Sequence, residues 1–99
     1  MYGLKKETIN KINMIFSKYN EVDEVILYGS RAKGNWKKGS DIDLTLKGEK
    51  IQLKIMNKIS LDLDDLLLPY FLDISIFHQI SNPDLVDHIE RVGVVLYKR

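Results

Sequence analysis

The run from Asp41 to Leu46, with the sequence DIDLTL, alternates strictly between polar and apolar side chains. Successive residues of a β-strand point to opposite faces of a sheet, so this pattern predicts a half-buried strand. Its three apolar residues would face the core, whereas Asp41 and Asp43 would project together from the other face. A chain with this run is therefore expected to build a sheet that has one apolar and one polar face.

The rest of the chain divides into segments of helical or strand periodicity. Helices are predicted over residues 5–19, from Ile51 until Pro69 ends the helix, and from Asn82-Pro83 to Gly93. Further strands are predicted at Glu24–Tyr28, Tyr70–Phe77 and Val94–Tyr97. The order is helix, strand, turn, strand, helix, strand, helix, strand. It predicts an α/β (α+β) domain in which helices cover a small mixed sheet.

Bulk properties narrow the class of protein. A length of 99 residues predicts a single domain, residues 1–99, with one modest core. The net charge of +1 gives no global reason to expect a nucleic-acid or membrane partner. Cysteine is absent, which excludes a disulfide framework and a thiolate metal site. No apolar run approaches about 18 residues and the first residues lack a signal-peptide pattern, so we expect a cytoplasmic protein.

The acidic pair Asp41/Asp43 is a candidate metal site. Two carboxylates about 4 Å apart repel by roughly 4 kcal/mol at an effective dielectric near 20, and a bridging cation relieves that repulsion. Oxygen ligands without histidine or cysteine suit Mg²⁺, or Mn²⁺, rather than zinc. Taken alone, however, an Asp-x-Asp pair is more often a solvated strand face.

The turn that precedes Asp41 and Asp43 favours a functional site over a solvated strand face. Gly29 ends a predicted strand, and glycine allows the backbone to approach a phosphate closely. The Ser30 hydroxyl and the free amides of the turn can donate to phosphate oxygens. Arg31 and Lys33 follow and add positive charge. An anion-binding turn beside carboxylates that hold a cation is the chemistry that a complex of an NTP with Mg²⁺ requires.

The joined motif resembles a known signature. LYGSRA at residues 27–32, followed by DIDL at residues 41–44, is similar to the motif of the DNA polymerase beta-like nucleotidyltransferase superfamily. The Gly-Ser-Arg-Ala form and the short chain are most similar to minimal nucleotidyltransferases, the MNT proteins, which include MntA-like antitoxins of HEPN/MNT pairs. The resemblance implies a third acidic residue on a later strand. Asp73 meets this requirement, because it interrupts an otherwise almost wholly apolar strand, where an unpaired carboxylate is costly.

The resemblance implies transfer of a nucleoside monophosphate from ATP or another NTP by in-line attack on the α-phosphorus. Asp41 and Asp43 would hold two Mg²⁺ ions, and Asp73 would complete the second metal site and help to deprotonate the acceptor hydroxyl. Gly29 and Ser30 would bind the β- and γ-phosphates. Arg31, and less directly Lys33, would neutralise the leaving pyrophosphate. The predicted site comprises the catalytic and metal-binding residues Asp41, Asp43 and Asp73 and the phosphate-binding residues Gly29, Ser30, Arg31 and Lys33.

The residues themselves do not identify the molecule that accepts the nucleotide. Because MNT proteins are commonly paired with a helical HEPN-type toxin, the resemblance implies that AMP is attached to a tyrosine of such a partner, in a homo- or hetero-oligomer. One alternative is an antitoxin that neutralises its partner by contact alone. Another is a nucleotidyltransferase that acts on RNA ends or on a small hydroxylated molecule, although the lack of a long basic stripe disfavours RNA.

Four other polar features are assigned no catalytic role. The second Asp-x-Asp motif, Asp62 to Asp64, lies on a predicted helix, where residues two apart diverge by about 200°. His78 and His88 have no partner at ligand spacing, so both are predicted to be surface residues. Trp36, in the loop between the two motif halves, would stack on a base or a partner, or else pack beneath the loop.

Overall fold

The computed structural model describes all residues from Met1 to Arg99 and contains four helices and four strands. In chain order these are α1 (Lys6–Phe16), β1 (Glu24–Tyr28), α2 (Gly29–Lys33), β2 (Ile42–Lys47), α3 (Leu53–Asp64), β3 (Leu72–Ile76), α4 (Pro83–Val92) and β4 (Val94–Lys98). A 3₁₀ turn, Phe77–Gln79, follows β3. The predicted order of elements is confirmed. None of the helices has the length and apolar character needed to cross a membrane.

The four strands form one mixed sheet in the order β3-β2-β1-β4. Strand β1 is antiparallel to both β2 and β4, whereas β2 and β3 are parallel. In this register Tyr28 is opposite Asp43, and Asp43 is opposite Asp73. The predicted mixed sheet is confirmed, and three strands bring their polar residues to the same end of it.

Alternation along the strands gives the sheet two unlike faces. The closed face packs against α1 and α3 and consists of apolar side chains: Val25, Leu27, Ile42, Leu44, Leu46, Leu72, Ile74 and Ile76. The open face is covered by α4 on its β1 side and carries Ile26, Tyr28, Asp43, Thr45, Asp73 and Ser75. The strict alternation predicted for β2 therefore separates the core from the polar residues.

Several boundaries differ from the predictions. Helix α1 ends at Phe16, and α3 runs from Leu53 to Asp64 rather than from Ile51 to Pro69. The chain leaves α3 early because the amides of Leu66 and Leu67 bond to carbonyls three residues back, which tightens the last turn. Strand β2 begins at Ile42, so Asp41 lies just before it, and β3 is shortened to Leu72–Ile76.

The start of α4 matches the prediction. The side chain of Asn82 accepts hydrogen bonds from the amides of Asp84 and Leu85, and Pro83 occupies the first helical turn. Ile89 is buried, and it packs with Ile26 and Tyr28 of β1. This end cap and this contact hold α4 against the part of the open face that adjoins the Gly29 turn.

Candidate active site

The turn between β1 and α2 is built closely around Asp43. Gly29 has a φ of +75°, a conformation that favours glycine. A Cβ atom at this position would lie 2.3 Å from Oδ2 of Asp43. Any side chain here would therefore displace the carboxylate. Glycine is favoured at this position both by its backbone conformation and by the closeness of the Asp43 side chain.

The three predicted carboxylates meet at one end of the sheet. Asp43 lies on the central strand β2, Asp73 is its partner on β3, and Asp41 immediately precedes β2. Partial burial raises the pKa of Asp43 above its ordinary value, and the charges of Asp73 and Asp41 raise it further. The carboxylates thus share one electrostatic environment.

The chemistry of this set fits a hard divalent cation. All three side chains offer oxygen ligands, and the repulsion that raises the pKa of Asp43 would fall if a cation bound between them. The carboxylates do not converge on a single point, since no group of three or more His, Cys, Asp or Glu side chains is close enough to hold one metal ion. Binding by all three would therefore require their side chains to rotate towards the ion.

The side chain of Arg31 makes contacts within the protein. Its side chain is buried, with 1% of its surface exposed. Its Nε and Nη2 atoms donate to the Ser40 carbonyl at 3.1 and 2.7 Å, and Nη1 donates to the Tyr2 carbonyl at 3.0 Å. The guanidinium also lies 4.9 Å from the centre of the Tyr70 ring. These donors tie the N-terminal segment and the loop before Asp41 to α2, so phosphate binding by Arg31, which stays a prediction, would require some of these bonds to break.

The other predicted phosphate ligands remain accessible. Ser30 is half-buried at the start of α2, beside Gly29. Lys33 is exposed at the end of the same helix and takes part in no ion pair. Both side chains are therefore free to contact an anion, and neither has a competing structural role.

His88 lies at the site, contrary to the prediction of a surface residue without a partner. Its Nε2 atom accepts a hydrogen bond from the Gly29 amide at 3.2 Å. Its ring meets that of Tyr28 edge-on, with centroids 6.2 Å apart. The sequence contained a local indication that His88 faces the sheet. His88 lies three residues after Leu85 and four before Val92, on the apolar stripe of α4.

Tyr28 lies opposite Asp43 in the sheet and contacts His88 of α4. Burial is the main cause that raises the pKa of its phenol, and the charges of Asp73 and Asp43 add to this, while the Ser75 hydroxyl opposes it. Ser75 donates to the Thr45 hydroxyl at 3.0 Å. Tyr28 thus packs within the strand, as predicted, and its phenol also lies within the influence of two carboxylates.

The remaining polar features lie apart from the carboxylates. His78 is exposed on the 3₁₀ turn, in agreement with the prediction. Trp36 is 40% exposed, and its indole edge packs so closely on Gly3 that a Cβ there would lie 2.4 Å from Nε1. Asp62 accepts a hydrogen bond from the Tyr19 hydroxyl, and both Asp62 and Asp64 lie on α3.

Comparison with known proteins identifies related sequences. The family model described as polymerase beta nucleotidyltransferase matches residues 10–99. A predicted protein adenylyltransferase of Methanocaldococcus jannaschii, MJ0141, is 31% identical over 83 residues, which cover 76% of this chain and 79% of that protein.

Solved structures share the fold at low sequence identity. A toxin–antitoxin structure with AMP-PNP superposes with a TM-score of 0.74 at 19% identity, over 92% of this chain and 73% of its own. The complex of the tri-AMPylated Shewanella oneidensis HEPN toxin with its MNT antitoxin gives 0.71 at 16% identity, over 97% and 74%. A predicted nucleotidyltransferase of Sulfolobus solfataricus gives 0.57 at 20% identity, over 98% and 92%.

The family model covers residues 10–99, which include the Gly29-Ser30 turn and all three aspartates. Together with the relative that is 31% identical, this match confirms the resemblance seen in the sequence. The chain belongs to the polymerase beta nucleotidyltransferase family.

Proposed function

We propose that this chain transfers AMP from ATP to a hydroxyl group on a partner protein, and that the acceptor is a tyrosine of a helical HEPN-type toxin. The observation that carries the proposal is the register of three strands, which sets Asp43 between the Gly29 turn and Asp73. This arrangement would provide adjacent positions for a triphosphate and for an attacking hydroxyl.

The choice of donor and acceptor is supported by the relatives. The Methanocaldococcus protein is a predicted protein adenylyltransferase. One structural neighbour contains the ATP analogue AMP-PNP, and another contains a tri-AMPylated HEPN toxin. These are properties of those proteins, and they make AMP and a HEPN-type partner the first donor and acceptor to test here.

Each residue of the site would have a separate role in the reaction. Asp41 and Asp43, with Asp73, would hold Mg²⁺, which supplies positive charge to the phosphates when bound. The Ser30 hydroxyl and adjacent free amides would bind the β- and γ-phosphates, and Lys33 would approach them from the end of α2. Asp73 would accept the proton of the acceptor hydroxyl. As the new bond from oxygen to the α-phosphorus forms, the bond to the bridging oxygen breaks and pyrophosphate leaves.

The test is transfer to the product of the adjacent gene. The two proteins are incubated with ATP and Mg²⁺, and the intact masses are measured. We expect the partner to gain one or more AMP units, with the modification on a tyrosine. Asp43→Asn should reduce the rate by at least about a hundredfold, as expected when a charged group central to the transition state is lost. The exposed Asp64→Asn is the matched control and should retain full activity.

Two outcomes would contradict the proposal. If Asp43→Asn transfers AMP at the wild-type rate, the carboxylate site is not the reaction centre. If the partner gains no mass and is still neutralised by both wild type and Asp43→Asn, the chain is an antitoxin that acts by contact alone. The same incubation with an RNA or an aminoglycoside in place of the partner tests the remaining alternatives.

A further inference from the structure

The first amide of α2 is satisfied in an unusual way. Amides in the first turn of a helix have no acceptor within the helix, and the side chain of the preceding residue often provides one. Here the preceding residue is Tyr28, whose side chain makes no such bond. The acceptor comes instead from Nε2 of His88, which is 59 residues away in the chain and 3.2 Å from the Gly29 nitrogen.

Gly29 also lies beside the side chain of Asp43, so closely that a Cβ at this position would lie 2.3 Å from Oδ2. The imidazole therefore holds the peptide nitrogen at a position where the Cα adjoins the carboxylate. Since Ser30 is the next residue, the direction of its amide and hydroxyl group depends on how this peptide is held.

The imidazole is itself anchored. Its ring packs edge-on against Tyr28, and the neighbouring Ile89 is 3% exposed in the contact between α4 and β1. The Asn82 cap secures the start of the same helix. An acceptor Nε2 requires the ring proton of the neutral imidazole to lie on Nδ1. His88 thus offers a fixed lone pair to the Gly29 turn.

We propose that His88 is a positioning residue: it holds the Gly29 peptide in the orientation that directs Ser30 and the following amides towards the phosphates of the nucleotide. This inference rests on the proposed function in one respect, the binding of NTP phosphates at the turn. His88 need not touch the substrate or exchange a proton with it. Its effect should therefore appear chiefly in nucleotide binding rather than in the chemical step.

The experiment compares three variants of the full chain. His88→Ala removes the acceptor, and His88→Gln places an amide oxygen close to the position of Nε2. The matched control is His78→Ala, because His78 is the second histidine of the chain and is exposed. The readouts are hydrogen exchange of the Gly29 amide measured by NMR, calorimetric affinity for ATP with Mg²⁺, and kcat and KM for transfer.

We expect the Gly29 amide to exchange about tenfold faster in His88→Ala than in wild type. The Kd and KM for ATP should rise about five- to tenfold, equivalent to one lost hydrogen bond, while kcat changes by less than about threefold. His88→Gln should recover most of both effects, and His78→Ala should resemble wild type. A role in folding alone would lower the melting temperature without this split between KM and kcat and without recovery by glutamine.

Other results would overturn the inference. It fails if folded His88→Ala binds ATP within about twofold of wild type, or if its Gly29 amide exchanges at the wild-type rate. It also fails if KM is unchanged and kcat alone falls. These outcomes differ from a failure of the proposed function, in which wild type modifies no partner protein. Amide exchange and ATP affinity would still test His88 in that case.

Discussion

The two faces of the sheet use neighbouring residues for opposite purposes. On the closed face Leu44 is fully buried beneath α1 and α3. On the open face its neighbour Asp43 is only partly buried, and burial together with two other carboxylates raises its pKa. Burial of Leu44 stabilises the fold, whereas partial burial of Asp43 disfavours the charged form of its carboxylate.

The difference arises from how helices cover the sheet. Two long helices, α1 and α3, lie against the closed face, while α4 covers the open face near β1. Asp43 and Asp73 lie on β2 and β3, beyond the part of the open face that α4 covers, and Asp73 is exposed. The fold therefore obtains its main core from one side and leaves part of the other side available for a charged substrate.

The largest effect should follow from damage to the closed face. Leu44→Ala removes a side chain that is 0% exposed, so the free energy of unfolding should fall by about 3 kcal/mol from lost burial and the cavity that remains. Urea unfolding measures this change. Leu61→Ala, at a side chain that is 65% exposed, is the control and should change stability by less than about 0.5 kcal/mol. Equal effects would mean that the closed face is not the core.

A smaller effect should follow at the end of the sheet, where Arg31 joins loop carbonyls to α2. Arg31→Lys keeps the charge, but a single ammonium group cannot reproduce the fork of donors to Tyr2 and Ser40. We expect a loss of about 2 kcal/mol in the free energy of unfolding.

Lys33→Ala, on the exposed part of the same helix, should leave stability unchanged within about 0.5 kcal/mol and weaken ATP binding. Stability and ATP affinity, measured together, separate the two roles. If Arg31→Lys has normal stability but binds ATP poorly, Arg31 is a phosphate ligand rather than a structural residue.

Arg31 and His88 mark the limit of what the sequence predicts. Local periodicity was sufficient for the order of the strands and for the separation of core from polar residues, and the Asn-Pro pair was sufficient for the cap at Asn82. It could not reveal that the Arg31 donors reach the carbonyls of Tyr2 and Ser40, because such contacts depend on the path of distant segments.

His88 was partly predictable. Its place on the apolar stripe of α4 indicated that it faces the sheet, but its contact with Gly29 depends on a pairing across 59 residues. The end of α3 at Asp64 was missed for a different reason. Apolar spacing continues to Leu66, where the chain already follows a tighter turn whose side chains still face the core.

The smallest effect is expected on the stability of Asp43→Asn. This variant also gives the sharpest test of the difference between the two faces of the sheet. Burial and the neighbouring carboxylates raise the pKa of Asp43 in the folded chain above its ordinary value of 3.8. The folded protein therefore holds this proton more tightly than the unfolded chain. Its stabilising contribution is complete below the unfolded pKa and is lost as the pH rises through the folded pKa.

Asparagine does not ionise, so Asp43→Asn should become more stable than wild type as the pH rises from about 3.8 to neutrality. Thermal unfolding in a buffer with a metal chelator measures this gap, and Asp64→Asn controls for the loss of one surface charge. Added Mg²⁺ should then stabilise wild type but not Asp43→Asn, because only the intact carboxylate set gains from a bound cation. A wild type that is more stable than Asp43→Asn at neutral pH, with chelator present, would mean that the open face stabilises the fold as the closed face does.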